Sequence, residues 1–103
     1  LEVCMKAVLS IAGSDCSGGA GIQADLRTFS AHGIFGMSAI ASVVAEITYR
    51  VIEFEDVRPD LIETRSDAVF EDILPNAVKT VMLACRAGKL TVAGRLKQWR
   101  PKM

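Results

Sequence analysis

Apolar residues fall along this chain in short runs separated by polar or glycine-rich breaks, and their spacing changes from run to run. Residues 6–12, Lys6-Ala7-Val8-Leu9-Ser10-Ile11-Ala12, are almost continuously apolar, the pattern of a strand buried on both faces of a parallel sheet. From Ile22 the spacing becomes helical, through Leu26 and Phe29, and predicts a helix from 19 or 20 to 31 with Ser17 as its N-cap and His32-Gly33 as its stop. His32 is the single histidine, and beside that stop it closes the helix on its free carbonyls rather than serving as acid or base. Residues 36–46 are small and apolar, then β-branched, and predict a second buried strand that delivers Glu46 to its carboxyl end. Residues 51–57 alternate in part and read as a short, partly exposed strand. Pro59 opens a second helix over 59–73, with Leu61, Ile62, Ala68, Val69 and Ile73 apolar. Pro75-Asn76 then turns the chain into a third buried strand, 77–82, and a last helix is predicted over 89–99.

The order β, α, β, β, α, β, α indicates an α/β protein: a mostly parallel sheet with helices on its faces, three layers deep. The pattern ends on a helix, where a further strand would follow, so the 103 residues are expected to form the amino-terminal part of a single domain, an incomplete sheet. Half of the residues are hydrophobic, enough for a core, and no apolar run approaches the roughly 18 residues that span a bilayer. Twelve basic and twelve acidic side chains cancel, so no net field draws the chain to nucleic acid or to an anionic membrane. The first residues lack the charge order and cleavage site of a secretion signal, and Cys4, Cys16 and Cys85 have no metal-ligand spacing. Reduced thiols and a cytoplasmic location are expected.

The candidate chemistry lies between the first strand and the first helix, in Gly13-Ser14-Asp15-Cys16-Ser17-Gly18-Gly19-Ala20-Gly21. A glycine-rich turn ending in a helix start allows close approach to the main chain and offers unpaired N–H groups, which suits a small polar or anionic ligand. It is not a Walker A loop, because no Gly-Lys-Ser/Thr follows, and its glycines do not fall in the dinucleotide register. A purely structural turn would need the same glycines. Cys16 has no activating base beside it in sequence and reads as a bystander. Glu46 stands where open α/β sheets place ligand-binding groups, although a carboxylate opening a loop would look the same.

The stretch Ile11-Ala12-Gly13-Ser14-Asp15-Cys16-Ser17-Gly18-Gly19-Ala20-Gly21-Ile22-Gln23-Ala24-Asp25-Leu26-Arg27-Thr28-Phe29-Ser30-Ala31 closely resembles the amino-terminal signature of the hydroxymethylpyrimidine and phosphomethylpyrimidine kinases of thiamine biosynthesis. Further matches follow in order at Gly36-Met37-Ser38-Ala39-Ile40, Val44-Ala45-Glu46, Asp67-Ala68-Val69-Phe70-Glu71-Asp72-Ile73, Ala77-Val78-Lys79-Thr80 and Met82-Leu83. The resemblance implies a ribokinase-like fold, usually in a homodimer, and ATP-dependent phosphorylation of 4-amino-5-hydroxymethyl-2-methylpyrimidine or its monophosphate. It also implies that Gly13 and Asp25 line the pyrimidine pocket, that Glu46 hydrogen-bonds the ring and that Met82 packs against it. By pattern alone Asp25 would be a first-turn acid favoured by the helix dipole, and Met82 would be core.

The resemblance further implies ATP and Mg²⁺, which in the family are held by later parts of the fold together with the catalytic residue, so no catalytic residue and no metal ligand is assigned in this chain. Two positions depart from the family pattern: Val81 stands where glycine is usual, and Ile47 replaces the asparagine of Glu/Gln-Asn-Thr. Two other readings share these features, a non-catalytic binding or assembly module and a pyridoxal-type kinase.

Overall fold

The computed structural model describes residues 5–80 together with 93, 94 and 97. Ala93, Gly94 and Lys97 of the predicted last helix are helical, and the rest of that helix, the end of the third parallel strand, Met82, Val81, Cys4 and Cys85 lie outside the described residues. Within them the order is β1 (Ala7–Asp15), α1 (Gly21–Ala31), β2 (Phe35–Ile47), β3 (Arg50–Asp56), α2 (Pro59–Asp72) and β4 (Ala77–Thr80). The strands lie in one sheet in the order β3-β2-β1-β4, with β1 parallel to both β2 and β4, and β3 antiparallel to β2.

This position explains the composition of β1. Flanked by strands on both edges and covered on both faces, it buries Leu9, Ser10 and Ile11 completely. Its odd-numbered residues Leu9 and Ile11 pack with Ala39 and Ala41 of β2 and with Ile62 and Phe70 of α2. Its even-numbered Ser10 meets Asp25 of α1 on the opposite face, so the two helices cover opposite sides of the sheet and make three layers. Leu26 and Phe29 of α1 lie over Gly36 of β2, where a Cβ would come within 3.0 Å of both side chains. Asn76 locks the edge pairing: its N–H donates to the Ala7 carbonyl at 2.8 Å, and its Oδ1 accepts from the Ala7 N–H at 2.9 Å.

Four local expectations change. First, β1 does not end at Ala12: after a register shift between Ala12 and Gly13, residues Gly13, Ser14 and Asp15 pair with Ser42, Val43 and Val44, so the strand absorbs the first third of the glycine-rich stretch. Second, the helix N-cap is Ala20 and not Ser17; alanine has no side-chain acceptor and so makes no capping bond, and its own N–H donates to Asp15. Third, Asp25 falls in the second turn of α1, whose first turn carries no acid, so the helix dipole is not what holds it. Fourth, β2 runs one residue longer at each end than predicted and β3 begins and ends one residue earlier, with an irregularity between Ala45 and Glu46. The stop at His32-Gly33 stands: the His32 N–H reaches the Thr28 and Phe29 carbonyls and Gly33 takes φ +70°. Among the described residues no helix is long and apolar enough to cross a membrane.

Candidate functional site

The loop after β1 is built around one carboxylate. Asp15 is 3% exposed, and its Oδ1 accepts from the Ser17 N–H at 2.9 Å and from the Ser17 hydroxyl at 2.7 Å. Its Oδ2 accepts from the Ala20 N–H at 2.8 Å, at the start of α1. Its carbonyl accepts from the Gly18 N–H at 2.9 Å, and its own N–H donates to Gln23 Oε1 at 2.8 Å. The glycine turn is therefore an anion cradle that already holds its anion, Asp15 itself. Of the two readings of this turn, a structural one and a ligand-binding one, the hydrogen bonds fit the first for these donors: the N–H groups of Ser17, Gly18, Gly19 and Ala20 all donate within the turn.

Beside this turn a cavity of about 380 Å³ opens at the carboxyl ends of β1 and β2. Gly13, Ser14, Asp15 and Gly21 form one side, Ser42, Val44 and Glu46 of β2 a second, and Val51 and Phe54 of β3 a third. The size suits a single small molecule, and the mixture of apolar wall and few polar groups is that of a small-molecule site. Gly13 is what keeps the floor open, since a Cβ there would stand 2.6 Å from Ser42 Oγ. We expect Gly13→Ala to displace the Ser42 hydroxyl into the cavity, to cost about 1–3 kcal/mol in a urea titration and to weaken binding of a ring-sized ligand. An unchanged unfolding midpoint would show that Ser42 rotates away freely.

Two carboxyl groups meet at this cavity. Asp15 and Glu46 line the same cavity, Asp15 pairing with Val44 two residues before Glu46, and the two carboxyl groups shift in opposite directions. The Ser17 hydroxyl bond does most to hold the Asp15 carboxyl below its ordinary range, against the upward push of burial, with the Ser17 and Ala20 N–H groups adding to it. Desolvation pushes the Glu46 carboxyl up, and the Asp15 charge and the bond to it push in the same direction. Cys16 is more than a bystander in the fold: its exposed thiol bonds both the Glu46 carbonyl and the Glu46 N–H at 3.3 Å, tying the turn to the end of β2.

Of the residues singled out from sequence, Gly13 and Glu46 share the cavity lining. Asp25 does not line it. Its side chain is 11% exposed and reaches across the sheet face, where Oδ2 accepts from Ser10 Oγ at 2.6 Å and Oδ1 pairs with Lys79 Nζ of β4 at 2.5 Å. Met82 lies outside the described residues. Sequence reasoning gave no role to Asp15, Lys79 or the β3 wall. An Asp followed two residues on by Ser and then by glycine is the signal of a side-chain-closed turn, and it could have revealed Asp15. Lys79 carries no local signal, because its partner is 54 positions away. Among the described residues no group of three or more His, Cys, Asp or Glu side chains is placed to hold a metal ion.

An open sheet of mostly parallel strands, with helices on both faces and a cavity at the strand carboxyl ends, is an α/β architecture of the kind that places ligand sites at those ends. Comparison with known proteins narrows the class. The phosphomethylpyrimidine kinase family model matches residues 15–103, and the chain belongs to that family of phosphotransferases, with its ribokinase-like fold. A hydroxymethylpyrimidine/phosphomethylpyrimidine kinase of Rhizobium meliloti is 46% identical over 91 residues, 88% of this chain and 34% of the relative. The crystal structure of a phosphomethylpyrimidine kinase from Clostridium difficile superimposes with a TM-score of 0.91 at 48% identity, covering 94% of this chain and 42% of that one. A pyridoxal kinase from Staphylococcus aureus in complex with AMP-PCP and pyridoxal superimposes with a TM-score of 0.83 at 31% identity, covering 95% of this chain and 36% of that one. The chain thus spans about a third of the length of the curated relatives it matches.

Proposed function

We propose that this chain is the substrate-binding, amino-terminal part of a ribokinase-like kinase domain that transfers a phosphoryl group from ATP to 4-amino-5-hydroxymethyl-2-methylpyrimidine or its monophosphate. The observation that carries the proposal is the joining of Gly13 and Glu46 in one cavity at the strand carboxyl ends, in a chain of this family. Glu46 accepts from the exocyclic amino group, Val44, Val51 and Phe54 offer the apolar wall a flat ring needs, and Gly13 admits the ring close to the main chain. Asp25, through its bonds to Ser10 and Lys79, fixes α1 against the sheet beside the site, and Met82 packs on the ring. Phosphoryl transfer also requires Mg²⁺ and placed donors for the developing charge. The chain spans 34% of the length of a kinase relative, and the proposed activity is that of the whole kinase, acting as a homodimer in the cytoplasm.

Calorimetric titration of the chain with the pyrimidine, alongside an ATP-coupled assay, tests both parts. Saturable heat with the pyrimidine and no turnover by the chain alone is the expected result; a folded sample giving no heat removes the substrate-binding reading. The likeness to pyridoxal kinases favours a second reading, in which the ring is pyridoxal. Competition decides between them: the pyrimidine is expected to displace pyridoxal, and the reverse order of affinity would reassign the site.

A further inference from the structure

The substrate reading leaves Asp15 without a task beyond shaping the turn, yet its carboxylate meets the one carboxyl group that reading gives to the ring. Geometry fixes which of the two carries the negative charge. Asp15 accepts three hydrogen bonds, from the Ser17 N–H, the Ser17 hydroxyl and the Ala20 N–H, the last at the positive end of α1. Glu46 has no comparable set of donors: its backbone is tied by the Cys16 thiol, and the cavity walls beside its side chain are Val44, Val51 and Phe54. Among the described residues no cation lines the cavity, and Asp15 is the only other ionisable group that does. Lys79 is engaged by Asp25. A ring entering the cavity covers Glu46 further, and burying two adjacent anions without a cation is the costliest of the available states.

We propose that Asp15 is a positioning residue for substrate recognition: held as an anion by the glycine-rich turn, it keeps a proton on Glu46 when a heterocycle enters, so that the ring meets a neutral carboxyl group. The O–H of Glu46 then donates to Asp15, and its carbonyl oxygen is left to accept from an amino group on the ring. The site in this form favours neutral aminoheterocycles over cationic ones. The upward shift of Glu46 and the downward shift of Asp15 both favour a proton on Glu46 over one on Asp15. The proposal rests on the pyrimidine reading for the identity of the ring, but not for the proton.

Two measurements keep those dependences apart. Titration of the chain with 4-amino-5-hydroxymethyl-2-methylpyrimidine near pH 8, in buffers of differing ionisation enthalpy, is expected to show uptake of about one proton per ring bound if Glu46 is ionised beforehand. Asp15→Asn is expected to lose most of that uptake, and Glu46→Gln all of it. Carboxyl ¹³C resonances of glutamate-labelled protein report the same event without a ligand: the Glu46 signal titrates above the ordinary glutamate range in the wild type and moves down in Asp15→Asn. Uptake that persists in Asp15→Asn, or a wild-type Glu46 that titrates in the ordinary range, overturns the proposal. If the pyrimidine gives no heat, the substrate reading fails and the carboxyl titration still decides the role of Asp15. If Asp15→Asn does not fold, the wild-type titration alone decides it.

Discussion

Gly21→Ala is expected to destabilise the chain by about 2–5 kcal/mol and, with it, to abolish the cavity. Two costs combine. Gly21 begins α1 at φ +64°, a conformation that costs an L-residue about 1–2 kcal/mol. A Cβ there would also run into the carbonyl oxygen of Gly13. That neighbour is the backbone of the central strand and cannot rotate out of the way, so overpacking adds about 1–3 kcal/mol. The sum is a large part of the roughly 5–15 kcal/mol by which a small domain is stable. Gly33→Ala separates the two costs: Gly33 takes φ +70°, but nothing lies within 4 Å of an added Cβ, so it should lose only the conformational part. Urea denaturation of both variants measures the difference. Equal losses would show that the approach of α1 to β1 relaxes without penalty.

Asp25→Ala is expected to cost about 2–3 kcal/mol, and mostly on account of Ser10. The Ser10 hydroxyl is fully buried and donates to Asp25, so removal of the carboxylate leaves a donor with no access to water, a loss of about 1–3 kcal/mol. The ion pair with Lys79 adds less. The Lys79 side chain is 47% exposed, and a half-solvated pair contributes about 0–1 kcal/mol. A double-mutant cycle isolates the first term: in a Ser10→Ala background, Asp25→Ala should cost less by about 1–2 kcal/mol. Additive losses would mean that Asp25 acts through Lys79 alone. If Asp25 touches the ring as well, its replacement lowers pyrimidine affinity in protein that remains fully folded, which a stability role does not do.

Both predictions concern residues whose importance was only half legible along the chain. The glycine turn and the segment Ile11 to Asp25 were visible as a unit, because glycine density and the change from strand to helical spacing are local signals. Its anion, however, turned out to be its own. Asp15 closes the turn because β1 continues through Gly13 and Ser14 after a register shift, a consequence of pairing with β2 that no local pattern encodes. Ser17 is not the cap, and its hydroxyl instead donates to the same carboxylate. Asp25, read along the chain as a first-turn acid, is the fifth residue of α1 and lies in its second turn, and its true hold, Lys79, lies on a strand that the sheet order brings to its side.

The sequence by itself determined the alternation of strands and helices, the burial of β1, the stop at His32-Gly33 and the start at Pro59, since each follows from the burial period and backbone preferences of neighbouring residues. Tertiary structure alone decided which side chains meet: Glu46 with Asp15, Asp25 with Lys79 and Ser10, and the β3 wall with the carboxyl end of β1. Those meetings depend on strand order and register, and a shift of one residue in either strand turns every side chain to the opposite face.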